Sequence, residues 1–147
     1  MTSFVPDTSV LVPALQRWHQ NHVSARTELR RRLDDGEHML LAGHSLMECY
    51  SVLTRLPPPL RLAPRVVTEL IQVSYVAKGA VVTLSADQYA DLLAELAASG
   101  IAGGRTYDAV IAATARAAGA DVILTFNVRD FAGIADDMEV RAPASIP

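Results

Sequence analysis

The stretch GGRTYDAVIAATARAAGADVILTFNVRDF, running from Gly103 to Phe131, decides the fold. Thr106 is a candidate N-cap, and from Tyr107 to Ala118 the side chains of Val110, Ile111, Thr114, Ala117 and Ala118 recur at helical spacing. Gly119 follows the last periodic position, where a residue without a β-carbon takes the left-handed conformation at low cost and stops the helix. Val122-Ile123-Leu124-Thr125 is then a short continuous run of the kind that is covered on both faces. A helix that passes so quickly into a buried strand is half of a βαβ unit, so a parallel sheet with covering helices is expected. Asp108 lies in the first turn of this helix and Asn127 just beyond the strand. Open parallel sheets bind ligands at the C-terminal ends of their strands, so both residues fall near one crevice. An acid in a first turn also complements the helix dipole, worth about 0.3–1 kcal/mol, and Asp108 alone therefore does not establish chemistry.

The remainder of the chain repeats the pattern. Phe4-Val5 is the core of a first strand that ends at Asp7, and Thr8 or Ser9 can cap a helix reaching Leu15. Asp7 is thereby placed at a strand end, although an N-cap or turn role would also account for it. Asn21 to Leu33 reads as an amphipathic helix with Arg26, Arg30 and Arg31 on a basic face, and Met39 to Ala42 as a second strand. Ser45-Leu46-Met47-Glu48 matches a capping box, which would explain Glu48 without any chemistry. That helix continues to Leu56, where Pro57-Pro58-Pro59 ends it, and Pro64 suits the first turn of a helix running to about Val76. Val81 to Leu84 forms a third strand, Ser85 to Gln88 a second capping box, and Glu139 to Arg141 a last strand. The order β-α-α-β-α-α-β-α-α-β-β with short connections predicts a three-layer α/β/α sandwich around a central, mostly parallel sheet.

A chain of 147 residues, half of them apolar, suits a single domain spanning 1–147. The formal net charge of −3 neither announces nor excludes a nucleic-acid partner, because clustered acids can meet a polyanion through a metal ion. The lone Cys49 cannot form an intramolecular disulfide, no apolar run approaches the ~20 residues of a membrane span, and no leader pattern opens the chain. A cytoplasmic protein without membrane contact is expected. His19, His22, His38 and His44 do not combine with Cys49 at zinc spacing.

Asp7, Glu48, Asp108 and Asn127 are thus all directed to one edge of the sheet. Crowded carboxylates repel, and a hard divalent cation removes that penalty. A receiver domain would need a lysine after a late strand, but Lys78 precedes the third strand; a phosphatase using two aspartates would need one where Ser9 stands. The segments VPDTSVL (5–11), LMECYSVLTR (46–55), YDAVIAA (107–113) and LTFNVRDF (124–131) together resemble the PIN domain, and within it the VapC-like toxins of type II toxin–antitoxin modules. The resemblance runs over nearly the whole chain. It implies an Mg²⁺- or Mn²⁺-dependent ribonuclease that hydrolyses RNA phosphodiester bonds, a homodimer, and a cognate VapB-like antitoxin whose C-terminal segment occludes the site.

By the same resemblance, Asp7 and Asp108 match the principal metal-binding acids and Glu48 the helix-borne acid. Asn127 falls where many members carry a further aspartate, while Asp130 is expected to brace the turn before Phe131. Arg105 is expected to contact phosphate, and Val10, Leu11, Leu15 and Trp18 are candidate partner contacts. With the fourth acid replaced by Asn127, a PIN fold that binds RNA or protein without cutting is the alternative to the nuclease.

Overall fold

The computed structural model describes residues 1–145. Five strands, β1 (Ser3–Pro6), β2 (His38–Ala42), β3 (Ala80–Val82), β4 (Val122–Leu124) and β5 (Glu139–Arg141), form one sheet in the order β3-β2-β1-β4-β5. All four pairings are parallel, with Phe4 opposite both Met39 and Val122. Six α-helices among the described residues cover it: α1 (Thr8–Ala14), α2 (His22–Asp34), α3 (Gly43–Arg55), α4 (Pro64–Ile71), α5 (Ala86–Ser99) and α6 (Arg105–Ala117). Strand alternation sorts the core into two layers. Phe4, Met39, Leu41, Val122 and Leu124 pack under α1 to α4, whereas Val5, Ala42 and Ile123 meet Ile111, Ala112 and Ala115 of α6. The α/β/α sandwich expected from the sequence is therefore present, with α5 joined to α6 through Leu92, Leu96 and Ala109.

Local chemistry explains most boundaries. Gly119 ends α6 with φ of 71°, as its position after the periodic residues predicts. Ser85 and Gln88 form the second capping box in full. Gly79 precedes β3, and a β-carbon there would lie 2.6 Å from the Met39 carbonyl oxygen, so only glycine lets β3 approach β2. The edge strands are short, and β5 carries Glu139 and Arg141 where a long apolar edge would invite pairing with another chain.

Four local expectations are corrected. Thr106 does not cap α6; Gly104 does, and Thr106 lies inside the helix. The helix begun at Pro64 is α-helical only to Ile71 and closes in a π-helical turn over Gln72–Val76, whose Tyr75 hydroxyl donates to the Leu11 carbonyl across the core. The third strand covers Ala80–Val82, leaving Leu84 to pack with α5. Most consequentially, Ser45 and Glu48 form no capping box: α3 starts at Gly43, which moves Ser45 inside the helix. Its hydroxyl is buried with no hydrogen-bond partner among the described residues, and Glu48 is left to other work.

Candidate active site

In this strand order the chain passes from β1 to β2 and β3 on one side, and β4 and β5 lie on the other. The β1–β4 seam is the topological switch point, where a crevice opens above the carboxyl ends of the strands. Asp7 stands there. Its backbone N–H makes the last rung to Leu124 at 3.0 Å, and its side chain turns back to cap α1. Oδ1 accepts from the Ser9 N–H at 3.0 Å and the Ser9 hydroxyl at 2.6 Å, and Oδ2 accepts from the Thr125 hydroxyl at 2.7 Å. The two hydroxyls accept in turn from the backbone beyond β4, Ser9 from the Phe126 N–H at 3.0 Å and Thr125 from the Asn127 N–H at 2.9 Å. Each hydroxyl proton is thus committed to Asp7, and the carboxylate is the only acceptor-only member of the network. Burial raises the Asp7 pKa, the Ser9 and Thr125 hydrogen bonds oppose that rise, and the charge of Glu48 adds to it.

Glu48 reaches the same place from α3. Thr8, the residue after Asp7, donates to Glu48 Oε2 at 3.1 Å, and His44 Nε2 lies 3.5 Å from that oxygen one helical turn earlier. Asp108, in the first turn of α6, has no hydrogen-bond donor among the described residues. Burial pushes its carboxyl up to about 6, reinforced by the charges of Asp130, Asp7 and Glu48 and opposed by Arg105. The order of those charges makes Asp130 the carboxylate that acts most strongly on Asp108. Asp130 sits on a 3₁₀ turn, Val128–Phe131, which Phe131 pins by burial against α6.

The fold therefore gathers Asp7, Glu48 and Asp108 into one neighbourhood, with Asn127 beside Asp7 through its backbone. The Asn127 side chain is exposed and makes no hydrogen bond among the described residues. Arg105 donates to the Ala132 carbonyl at 2.8 Å, tying the start of α6 to the turn that bears Asp130. Ser9 and Thr125 were not foreseen as site residues. The Asp-x-Ser spacing is the signal available for Ser9, since an aspartate side chain readily closes a turn on the backbone N–H two residues on; Thr125, a polar residue directly after a wholly apolar strand, is the signal for the other.

Elsewhere, Val10 and Leu11 are fully buried and so are core rather than partner contacts, whereas Trp18 is exposed. Leu15 lines a groove of about 640 Å³ between α1, α2 and α4, with Arg17, Arg26, Arg30 and Lys78 along it. Arg31 is engaged by Glu28 at 2.9 Å and Asp35 at 3.0 Å, while Arg26 and Arg30 form no ion pair among the described residues. His19 and His22 are not a metal pair: His19 Nδ1 accepts from the Asn21 N–H and His22 Nδ1 meets the Pro13 carbonyl. No helix among the described residues is long and apolar enough to cross a membrane.

Comparison with known proteins agrees with this architecture. The chain is 42% identical to Ribonuclease VapC40 of Mycobacterium tuberculosis over 84% of its own length and 86% of the relative's, and 39% identical to Ribonuclease VapC27 of the same species over 74% of each. Among solved structures it superposes on VapBC2 of Rickettsia felis bound to a promoter DNA fragment, with a TM-score of 0.69 and 17% identity, covering 96% of this chain and 98% of that one. It also superposes on the sarcin-ricin-loop-cleaving toxin VapC20 of Mycobacterium tuberculosis, with a TM-score of 0.67 and 19% identity, covering 88% of this chain and 94% of that one. The family model described as PIN domain matches residues 4–137, and with VapC ribonucleases as its relatives the chain belongs to the PIN domain family.

Proposed function

We propose that this protein is a divalent-metal-dependent endoribonuclease that acts as the toxin of a type II toxin–antitoxin pair in the cytoplasm. The observation that carries the reading is the convergence of Asp7, Glu48 and Asp108 at the switch point, with the Asp108 carboxyl pushed up to about 6 by burial and by its acidic neighbours. Such a cluster is costly unless something positive offsets it. No three acid, imidazole or thiol groups among the described residues lie close enough to hold an ion unaided. That donor set suits Mg²⁺ or Mn²⁺, which take one or two carboxylates and keep several waters, and not a zinc site, which needs a closed set of ligands. Asp7 and Asp108 would hold the ion, which when bound would acidify water and offset phosphate charge.

The remaining steps belong to the chain's own groups. Ser9 and Thr125 favour the ionised form of Asp7 against the effect of burial and fix its orientation, as outer-shell donors do for a ligand carboxylate. Glu48, steadied by Thr8 and His44, keeps one oxygen available to orient an attacking water and take its proton at Oε1. Asn127, or Asp130 from the neighbouring turn, completes the ring of oxygens. Hydrolysis then yields 5′-phosphate and 3′-hydroxyl ends. The groove between α1, α2 and α4 offers an apolar floor with a basic rim to a VapB-like antitoxin, and the active form is taken to be a homodimer.

Cleavage of RNA should stop in EDTA and return with Mg²⁺ or Mn²⁺, and the same ions should raise the melting temperature of wild type but not of Asp108→Asn. Production of the chain alone should arrest bacterial growth, with relief by the small protein encoded beside it. RNA binding without metal-dependent cleavage would instead favour the non-cutting binding module, for which the neutral, unengaged Asn127 side chain is the specific observation.

A further inference from the structure

His44 and Tyr107 stack face to face at the mouth of the crevice. Their ring centroids are 5.1 Å apart and their planes 10° apart, an offset-stacked geometry favoured by aromatic quadrupoles. The two rings come from different helices, α3 and α6, and each helix also bears one of the acids: His44 stands a turn before Glu48, and Tyr107 immediately precedes Asp108. The fold makes no other use of Tyr107. It belongs to none of the core clusters, its hydroxyl has no hydrogen-bond partner among the described residues, and it is 56% exposed. The buried residues of α6 are Ala109, Ile111, Ala112, Thr114 and Ala115, and Tyr107 is not among them. One face of the Tyr107 ring is covered by His44, and the exposure belongs to the rest of it.

We propose that the His44–Tyr107 stack is a seat for one unpaired RNA base, with Tyr107 offering its outer face and His44 backing it, so that the adjoining phosphate is delivered to Asp108 and Glu48. The inference rests on the nuclease reading and specifies its substrate as single-stranded at that nucleotide. Sequence-accessible RNA is recognised largely through splayed bases stacked on aromatic side chains, and stacking tolerates any base because every base has a π-face. A neutral π-face also approaches an acidic crevice without the repulsion a bare phosphate meets there. The other aromatic pair among the described residues, Trp18 with His19, is tilted by 44° and lies in the connection between α1 and α2, on neither helix that bears Glu48 or Asp108, so it lacks the same juxtaposition.

The test replaces successive bases of a short single-stranded RNA with 2-aminopurine, whose fluorescence falls on stacking, and binds each to the full-length protein in Ca²⁺, with anisotropy reporting binding. One position should be quenched by wild type, by Tyr107→Phe and by Tyr107→Trp, and released in Tyr107→Leu, which should bind about ten-fold more weakly and melt as wild type does. His44→Leu should weaken the quench at the same position. In Mg²⁺, Tyr107→Leu should raise KM more than it lowers kcat, and an abasic substitution at the quenched position should slow wild type but leave Tyr107→Leu unchanged. Bound RNA with no quenched position, or a quench that survives Tyr107→Leu, overturns the seat. So does failure of wild type to bind RNA. Wild-type cleavage together with any of those outcomes leaves the nuclease reading standing, whereas a Tyr107-dependent quench without metal-dependent cleavage removes that reading and keeps the base seat.

Discussion

Asp7, at the end of β1, and Asp108, in the first turn of α6, come near enough for the charge of Asp7 to act on Asp108, and burial raises the pKa of both, yet the protein treats them differently. Three donors from Ser9 and Thr125 converge on Asp7, so its charge is compensated by the fold and its position is fixed. Asp108 receives no such donor among the described residues and is surrounded by Asp130, Asp7 and Glu48. One carboxylate is bound into the scaffold; the other is left without a donor and, on the proposed function, is the one free to meet a ligand. A pair of residues assigned the same role from sequence therefore differs in what its loss does to the folded state.

The largest expected effect does not separate them. Asp7→Asn and Asp108→Asn should each lower RNA cleavage by at least about a hundred-fold, since even the outer-shell partners of ligand residues are worth about ten- to a hundred-fold. Ser9→Ala and Thr125→Val should fall in that lower range, because they loosen Asp7 without removing it. Single-turnover cleavage of one oligonucleotide by all four variants checks the order, and a Thr125→Val protein as fast as wild type would dissolve the proposed scaffold role.

Stability separates the two aspartates. Asp7→Asn presents an amide donor to a site whose three partners are all donors, and should cost about 1–3 kcal/mol. Asp108→Asn removes a crowded charge and should leave the metal-free protein at least as stable as wild type. Relief of carboxylate repulsion by itself would leave neither variant destabilised; the donor network at Asp7 reverses that for Asp7→Asn. Urea unfolding in EDTA measures both.

The contrast should also depend on pH. The Asp108 pKa rises from 3.8 to about 6 on folding, so between those values the folded chain holds a proton that the unfolded chain has released. This residue's contribution therefore makes stability fall as pH rises from about 4 to 6, after which the penalty is complete. The advantage of Asp108→Asn over wild type in metal-free melting should accordingly be full at pH 7 and vanish below pH 4. An advantage that persists at pH 3.5 would trace it to packing and not to charge.

The smallest effect concerns the fourth position. If Asp130 supplies the missing charge, Asp130→Asn should lower cleavage more than Asn127→Ala and shift the Mg²⁺ dependence to higher concentration. The reverse order would return that role to the Asn127 carbonyl, which is neutral and nearer the Asp7 network.

Periodicity and punctuation in the sequence determined the layer order, the parallel sheet, the strand-end addresses of Asp7 and Asn127 and the helix-start address of Asp108, because each rests on short-range rules: apolar runs, helix stops and βαβ handedness. Gly119 and the Ser85–Gln88 box are legible for the same reason. Tertiary structure alone decided which local option each polar side chain took. Ser45 and Glu48 satisfy a capping pattern, yet α3 begins three residues earlier, with Ala42 as its N-cap, because β2 runs directly into it and the helix start follows the strand end. Glu48 is thereby released to Thr8, a partner forty residues away in the chain. The donors on Asp7 likewise come partly from Thr125, 118 positions along, and the charges on Asp108 from three separate elements. Hydrogen bonds and Coulomb fields act through space, so their pattern is fixed only when β1 and β4 lie side by side.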